Sequence, residues 1–265
     1  MKHIWKTFFT ILMCVVFLYT SVGCCKNHHT HISDYINDST KIHYIIVSDT
    51  HWYAPYALDI TPHDIEDGEN TLYIGDIYDL KSATHTDVKE VLQSIRQFRQ
   101  EKGERYVRGN HEGYAFLEFI TPEHGKISFE RGGHIIDFDH VDYTIRPQNS
   151  SNPDERILFT HGHKGIDPRF DKETIEKYEQ STGGVGSWKR LWLHIASFFR
   201  ERLPNTPTER EITNAVHLAL TMNCRTVVFG HTHVRRLFDK YCIDPKTGET
   251  IRVIAVPRGI THLSL

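Results

Sequence analysis

Gly75-Asp76-Ile77-Tyr78-Asp79 follows the apolar run Thr71–Ile74 and sets two carboxylates in a glycine-opened turn at the end of a short, strand-like segment. Alone, such a turn is ordinary, because Gly and Asp are common turn residues. Four further clusters give it a context: Asp49-Thr50-His51, Gly109-Asn110-His111-Glu112, Thr160-His161-Gly162-His163 and Gly230-His231-Thr232-His233. Most follow a short β-branched or aromatic run directly. Five clusters of His, Asp and Asn at strand ends point to one site.

The chain around these clusters reads as an α/β domain. His43–Ser48 is a buried strand that delivers Asp49 and His51 at its C-terminal edge, the usual place for a site in an α/β sheet. Thr86–Lys102 carries Val88, Val91, Leu92, Ile95 and Phe98 at helical spacing and predicts an amphipathic covering helix. Arg105–Val107 is a short strand, followed after Gly109-Asn110-His111 by a helix through Phe119. Lys126–Arg146 alternates polar and apolar residues around Gly132-Gly133, which predicts antiparallel strands. Arg156–Thr160 and Arg225–Phe229 are buried strands, and Arg235–Ile243 with Glu249–Val256 forms a closing hairpin. The stretch between these last motifs, about 164–223, reads as a helical insertion and a lid candidate. Trp188, Leu191, Trp192, Ile195, Phe198, Phe199 and Leu203 recur there at helical spacing, flanked by Lys189, Arg190, Arg200 and Arg202. Such a helix either packs on the domain or presents its aromatic face to lipid.

At 265 residues and 39% hydrophobic, the chain supports one sizeable catalytic domain, placed at 42–265. A net charge of −3 gives no global support to a nucleic-acid partner held by phosphate neutralisation. Residues 1–25 open with Lys2 and Lys6 and then run uncharged, which predicts a signal peptide or membrane anchor. Ser21-Val22-Gly23-Cys24 resembles a bacterial lipoprotein processing site, with Ser where an aliphatic residue is usual. The positive-inside tendency then sends the domain across the membrane, so the expected location is extracytoplasmic and membrane-associated. Residues 26–41, with His28, His29 and His31, read as a solvated linker. Of the five cysteines only Cys224 and Cys242 belong to the globular part, and they make neither a zinc pattern nor a disulfide framework.

The donors in the clusters are carboxylate, imidazole and one amide, a set that suits Mn²⁺, Fe²⁺ or Zn²⁺. Asp49, His51, Asp76, Asn110, His161, His231 and His233 are seven candidates. They are too many for one tetrahedral ion and right for two ions about 3.5–4 Å apart that share a carboxylate. In D-x-H and H-x-H, alternate residues of an extended segment face the same way. Glycine before Asp76, Asn110 and His231 lets the backbone turn sharply and approach the ions. His163 is expected beside the ligands rather than among them, and Glu112 is expected to cap or brace the following helix. Arg108 reads equally as a phosphate contact or a surface ion pair.

D-x-H, G-D-x-x-D, G-N-H-E, H-G-H and G-H-x-H in this order resemble the calcineurin-like metallophosphoesterase superfamily over residues 43 to 256. The resemblance implies a four-layer α/β/β/α sandwich that hydrolyses phosphate monoesters, diesters or pyrophosphates with a metal-bound hydroxide. It also implies that Asp49, His51, Asp76 and His233 hold one metal, and Asp76, Asn110, His161 and His231 the other. By the same resemblance His111 protonates the leaving group and Asp79 orients it. The position of the insertion is similar, more loosely, to the UDP-2,3-diacylglucosamine pyrophosphohydrolase branch, which acts on a lipid-linked diphosphate. Ala255–His262 departs from the Asn-x-Gly-Ser-like ending of many members. The expected partner is thus a phosphorylated small molecule or a lipid-linked substrate. A non-catalytic, membrane-tethered scaffold is the reading from another class, and the complete ligand set with His111 weighs against it.

Overall fold

Along β2 (His43–Ser48), Tyr44 and Ile46 face one way while Ile45 and Val47 face the other, so both faces of the strand are apolar and need cover. The computed structural model describes residues 42–60, 65, 67–112, 115, 127–131, 133–139, 142–167, 169, 184–189, 191–193 and 206–265, and the backbone of 31–32. The expected export segment lies outside these residues, as do Ile195, Phe198, Phe199 and Leu203 of the insertion and most of the helix expected to reach Phe119. Among the described residues no helix is long and apolar enough to cross a membrane.

Two sheets form. In the first, β2 pairs in parallel with β3 (Thr71–Ile74), and β3 in parallel with β4 (Tyr106–Val107). On its other side β2 pairs antiparallel with β12 (Gly259–Ser264), which lies beside β1 (His31–Ile32). The second sheet begins with the antiparallel run β5 (Ile127–Arg131), β6 (His134–Phe138), β7 (Asp142–Pro147) and β8 (Ile157–Thr160). It continues through β9 (Thr226–Phe229), parallel to β8, to β11 (Thr250–Ala255), and ends at the edge strand β10 (Phe238–Ile243).

Alternation along these strands sorts the core into three clusters. Between the sheets, Tyr44, Ile46, Leu72 and Ile74 meet Phe138, Ile145, Phe159, Val228 and Ile254. Outside the first sheet, Val91, Ile95 and Phe98 of α1 (Val88–Lys102) pack on Val47, Tyr73 and Tyr106. Outside the second, Ala215, Val216 and Ala219 of α2 (Glu209–Thr221) pack on Val227, Phe229, Ile251 and Val253. The result is the expected four-layer α/β/β/α sandwich.

The element boundaries move by one to three residues, the most at the closing hairpin, expected from Arg235 and formed from Phe238. Two pieces of the core come from stretches read otherwise. Helix α2 lies within the stretch read as an insertion, where a Thr-x-x-Glu capping box starts it: the Thr208 hydroxyl accepts from Glu211 N–H at 3.3 Å and the Glu211 carboxylate from Thr208 N–H at 2.8 Å. Strand β12 occupies the departing C-terminal stretch, burying Thr261 and Leu263 while Ile260 and His262 alternate with them.

Phe159 is fully buried between the sheets, ringed by Tyr44 at 5.2 Å and Tyr143 at 6.0 Å. Phe159→Ala should lower stability by about 3–5 kcal/mol, read from the urea midpoint at unchanged slope. A loss below about 1 kcal/mol would mean that the two sheets do not share this core.

Candidate metal centre

Every cluster sits just past the C-terminal end of a parallel strand: β2, β3 and β4 in one sheet, β8 and β9 in the other. The first two loops are laced by backbone hydrogen bonds, from Asp49 N–H to Gly75 C=O (3.1 Å), His51 N–H to Asp76 C=O (2.9 Å) and Trp52 N–H to Ile77 C=O (2.8 Å). Glu112 ties the third loop to the second. Its Oε2 accepts from Asp76 N–H at 3.1 Å and Gly109 N–H at 2.9 Å, while Oε1 accepts from Tyr78 N–H at 2.9 Å and from the Tyr106 hydroxyl. Glu112 is therefore not a helix cap but a fully buried clamp on both turns. Burial and the nearby Asp76 charge push its carboxyl up to about 7.

The ligand residues adopt backbone that strands do not. Asp49, His51, Asp76, His231 and His233 have φ of 54°, 52°, 52°, 63° and 51°. Left-handed conformation at non-glycine residues costs on the order of 1–3 kcal/mol each and clusters at functional sites. The expectation that D-x-H and H-x-H aim their side chains as alternate residues of an extended segment is thus corrected: left-handed bends at the donor residues themselves aim them. The glycine expectation holds at Gly75, where an added Cβ would stand 2.7 Å from the His161 ring and 2.8 Å from Gly109 Cα.

Within 4.8 Å of one another lie the ligand atoms of three overlapping groups: Asp49, His51 and His233; His51, Asp76 and His111; and Asp76, His161 and His231. His51 Nε2 is 3.1 Å from His233 Nε2, and His233 Nε2 is 3.1 Å from Asp49 Oδ1, a buried oxygen that accepts no hydrogen bond. On the other side His161 Nε2 is 3.1 Å from His231 Nδ1, 3.2 Å from Asn110 Oδ1 and 3.3 Å from Asp76 Oδ2. All seven expected ligands converge here. His163 is buried beside them, its ring 5.4 Å from that of His161, outside the donor groups. Arg108 is buried, which excludes the surface ion pair.

The outer nitrogens assign the inner ones. His161 Nδ1 lies 2.9 Å from Ile74 C=O and His231 Nε2 lies 2.8 Å from Asp167 Oδ2, so each of these nitrogens carries the ring proton. The facing nitrogens then hold lone pairs, an arrangement that calls for a cation or a proton between them. Asp76 draws a proton in that place: although burial opposes it, the Asp76 carboxylate pushes His161 up to about 9. Burial keeps His51 neutral, down at about 4, and lowers His231 as well, which leaves both free to ligate. For Asp49 and Asp76 burial alone would raise the pKa, but His233 and His161 respectively outweigh it and hold both well below the carboxylate range. The chemistry of these donors fits a divalent cation.

Asp167 carries no signal in the sequence, standing six residues past His161 in a turn. Its carboxylate is clamped by Arg169, whose Nε lies 2.9 Å from Oδ1, and its backbone N–H reaches Gly162 C=O at 3.0 Å. Asp79, expected to orient His111, does face it, with Oδ1 at 2.9 Å from Nδ1.

A family model described as calcineurin-like phosphoesterase matches residues 42–235, from the start of β2 to just past His233. No curated protein matches the chain.

Asp167→Ala should weaken Mn²⁺ binding by about 10–100-fold in a calorimetric titration, because the tautomer and tilt of His231 are then no longer held. An unchanged affinity would count against His231 as a ligand through Nδ1.

Proposed function

The chain belongs to the calcineurin-like phosphoesterase family, and from that premise we propose that it hydrolyses phosphate esters at a centre of two divalent ions, Mn²⁺, Fe²⁺ or Zn²⁺. The observation that carries the reading is the place of Asp76. Its Oδ2 stands 3.3 Å from His161 Nε2 and 3.9 Å from His51 Nε2, facing both donor groups at once. Asp49, His51 and His233 would hold one ion, Asn110, His161 and His231 the other, and Asp76 would be shared. When bound, such ions polarise the phosphoryl oxygens and make water a nucleophile near neutral pH.

The chain's own residues do the rest. His111 is the proton donor to the departing oxygen. Asp79 holds its ring from the Nδ1 side, and its Nε2, 4.0 Å from Asp76 Oδ2, faces the centre. Burial disfavours the imidazolium, yet the Asp79 and Asp76 carboxylates outweigh burial and raise its pKa. His111 therefore keeps its proton to higher pH than a solvated imidazole, as a general acid requires.

A lipid-linked phosphoester or pyrophosphate is the finer substrate reading, in line with the looser likeness to the UDP-2,3-diacylglucosamine pyrophosphohydrolases. Two observations support it. Gly184 N–H reaches Leu80 C=O at 3.3 Å and Val185 N–H reaches Ala83 C=O at 2.8 Å, so this stretch docks on the loop that follows Asp79. Just beyond, Trp188 and Trp192 are 76% and 67% exposed, with Leu191 also exposed, an aromatic surface of the kind lipid interfaces take. An exported, membrane-associated enzyme anchored through residues 1–25 completes the proposal.

With Mn²⁺, bis-p-nitrophenyl phosphate or p-nitrophenyl phosphate should be cleaved, and chelation should abolish cleavage until the ion is restored. Cleavage that survives chelation would refute the metal-dependent reading. In the same assay His111→Ala should keep its metal and lose about 100-fold or more in turnover. Trp188→Ser with Trp192→Ser should depress activity on lipid-like phosphoesters in vesicles by about tenfold while nitrophenyl esters change little. If neither substrate responds, the lipid reading is to be dropped.

A further inference from the structure

Asp79 faces more than the one imidazole. Its Oδ1 lies 2.9 Å from His111 Nδ1 and accepts from Ser82 N–H at 2.7 Å; its Oδ2 lies 3.3 Å from His51 Nδ1 and accepts from the Tyr56 hydroxyl at 2.5 Å. One fully buried carboxylate thus stands behind a metal-ligand candidate and the proton donor together. Both rings are approached from the Nδ1 side, which leaves each Nε2 turned to the centre.

Tyr56 is itself held from far along the chain. Arg258, immediately before β12, donates through Nε to Asp49 C=O at 3.0 Å and through Nη2 to Tyr56 C=O at 2.9 Å, with its guanidinium 6.0 Å from the Tyr56 ring centre. The same ring meets His51 edge to face at 5.3 Å, and its hydroxyl is 3.0 Å from Ser82 Oγ. Burial and the Asp79 charge push the phenol well above its ordinary range, so it stays a donor.

We propose that Tyr56, anchored by Arg258, is a positioning residue that fixes the rotation of the Asp79 carboxylate, so that one group orients His51 and His111 in common. The catalytic consequence rests on reading His111 as the proton donor. A carboxylate offers about four acceptor directions, and Ser82 and Tyr56 take two of them. The same two oxygens lie 2.9 Å from His111 Nδ1 and 3.3 Å from His51 Nδ1. Without the Tyr56 hydroxyl the carboxylate can turn about its broad terminal torsion, and both rings lose their common reference. None of the five sequence clusters contains Tyr56 or Arg258.

Tyr56→Phe, which keeps the ring, tests this in the full chain by two readouts. In zinc-loaded, histidine-labelled protein the His111 Nδ1–H signal, identified by its loss in His111→Ala, should broaden through exchange with water in Tyr56→Phe. An unchanged signal overturns the proposal whether or not the protein hydrolyses anything. With saturating manganese and paired phenyl and p-nitrophenyl esters, kcat should fall about 10-fold on the phenyl ester and about twofold on the nitrophenyl ester at unchanged KM, while manganese affinity weakens because His51 loses the same reference. Arg258→Lys, which keeps the charge but loses the two-point hold, should show the same selectivity in weaker form. Equal losses on both esters at saturating manganese would make Tyr56 a packing residue and overturn its role in the reaction. If His111→Ala loses equally on both esters, the proton-donor reading fails, while the ring signal still decides whether Tyr56 positions Asp79.

Discussion

The centre depends on one buried carboxylate that stands outside the donor groups. Glu112 accepts three backbone N–H groups and a tyrosine hydroxyl, and those N–H groups belong to the two turns that carry Asp76 and Asn110. Turns at strand ends present backbone donors that water would otherwise satisfy, and here Asp76, Tyr78, Gly109 and Glu112 are all buried. An acceptor with several lone pairs, supplied from the third turn, satisfies them and fixes the spacing of the turns in the same act. The desolvation of that acceptor appears in its carboxyl, which stands at about 7.

Around this clamp, the centre concentrates unfavourable terms that only make sense together. Five ligand residues hold left-handed backbone, and Asp49, Asp76, Asp79 and Asp167 are buried within one cluster. Isolated, each carboxylate would be raised in pKa and neutralised. Instead, His233, His161, His111 and His231 offset them, and the imidazoles whose outer nitrogens are tied to Ile74 and Asp167 turn lone pairs inward. A divalent cation would offset both the carboxylates and the facing lone pairs, so binding it would be coupled to holding these loops in place.

The stretch between the last two histidine clusters divides by physical role. Its end is α2, whose apolar side covers the second sheet and belongs to the sandwich. Its middle, at Gly184 and Val185, adds backbone hydrogen bonds to the loop after Asp79 and is followed by exposed tryptophans. Under the proposed function, a surface joined in this way to the loop after Asp79 would be placed to bind what the phosphate is attached to, since the metal ligands would read only the phosphoryl group.

The sequence by itself determined the buried strands and the candidate donors. Apolar runs such as His43–Ser48 and Thr71–Ile74 demand cover on both faces, and Asp, His and Asn at their ends name the donors, because both signals are local and need no partner to be read. Helix α2 was legible too, through Thr208 and Glu211, but the aromatic run before it drew the whole stretch into an insertion. Only the tertiary structure decided how the donors are aimed and what stands behind them. Left-handed φ at Asp49 or His231 accompanies hydrogen bonds to distant residues, such as Asp49 N–H to Gly75 C=O at 3.1 Å and His231 N–H to the Asp49 carboxylate at 2.9 Å, and leaves no mark on residue identity. Glu112, Asp167, Tyr56 and Arg258 act across 34, 64, 23 and 202 positions of chain, on Tyr78, His231, Asp79 and Tyr56 in turn, and such partners become visible only when folding brings them within hydrogen-bond distance.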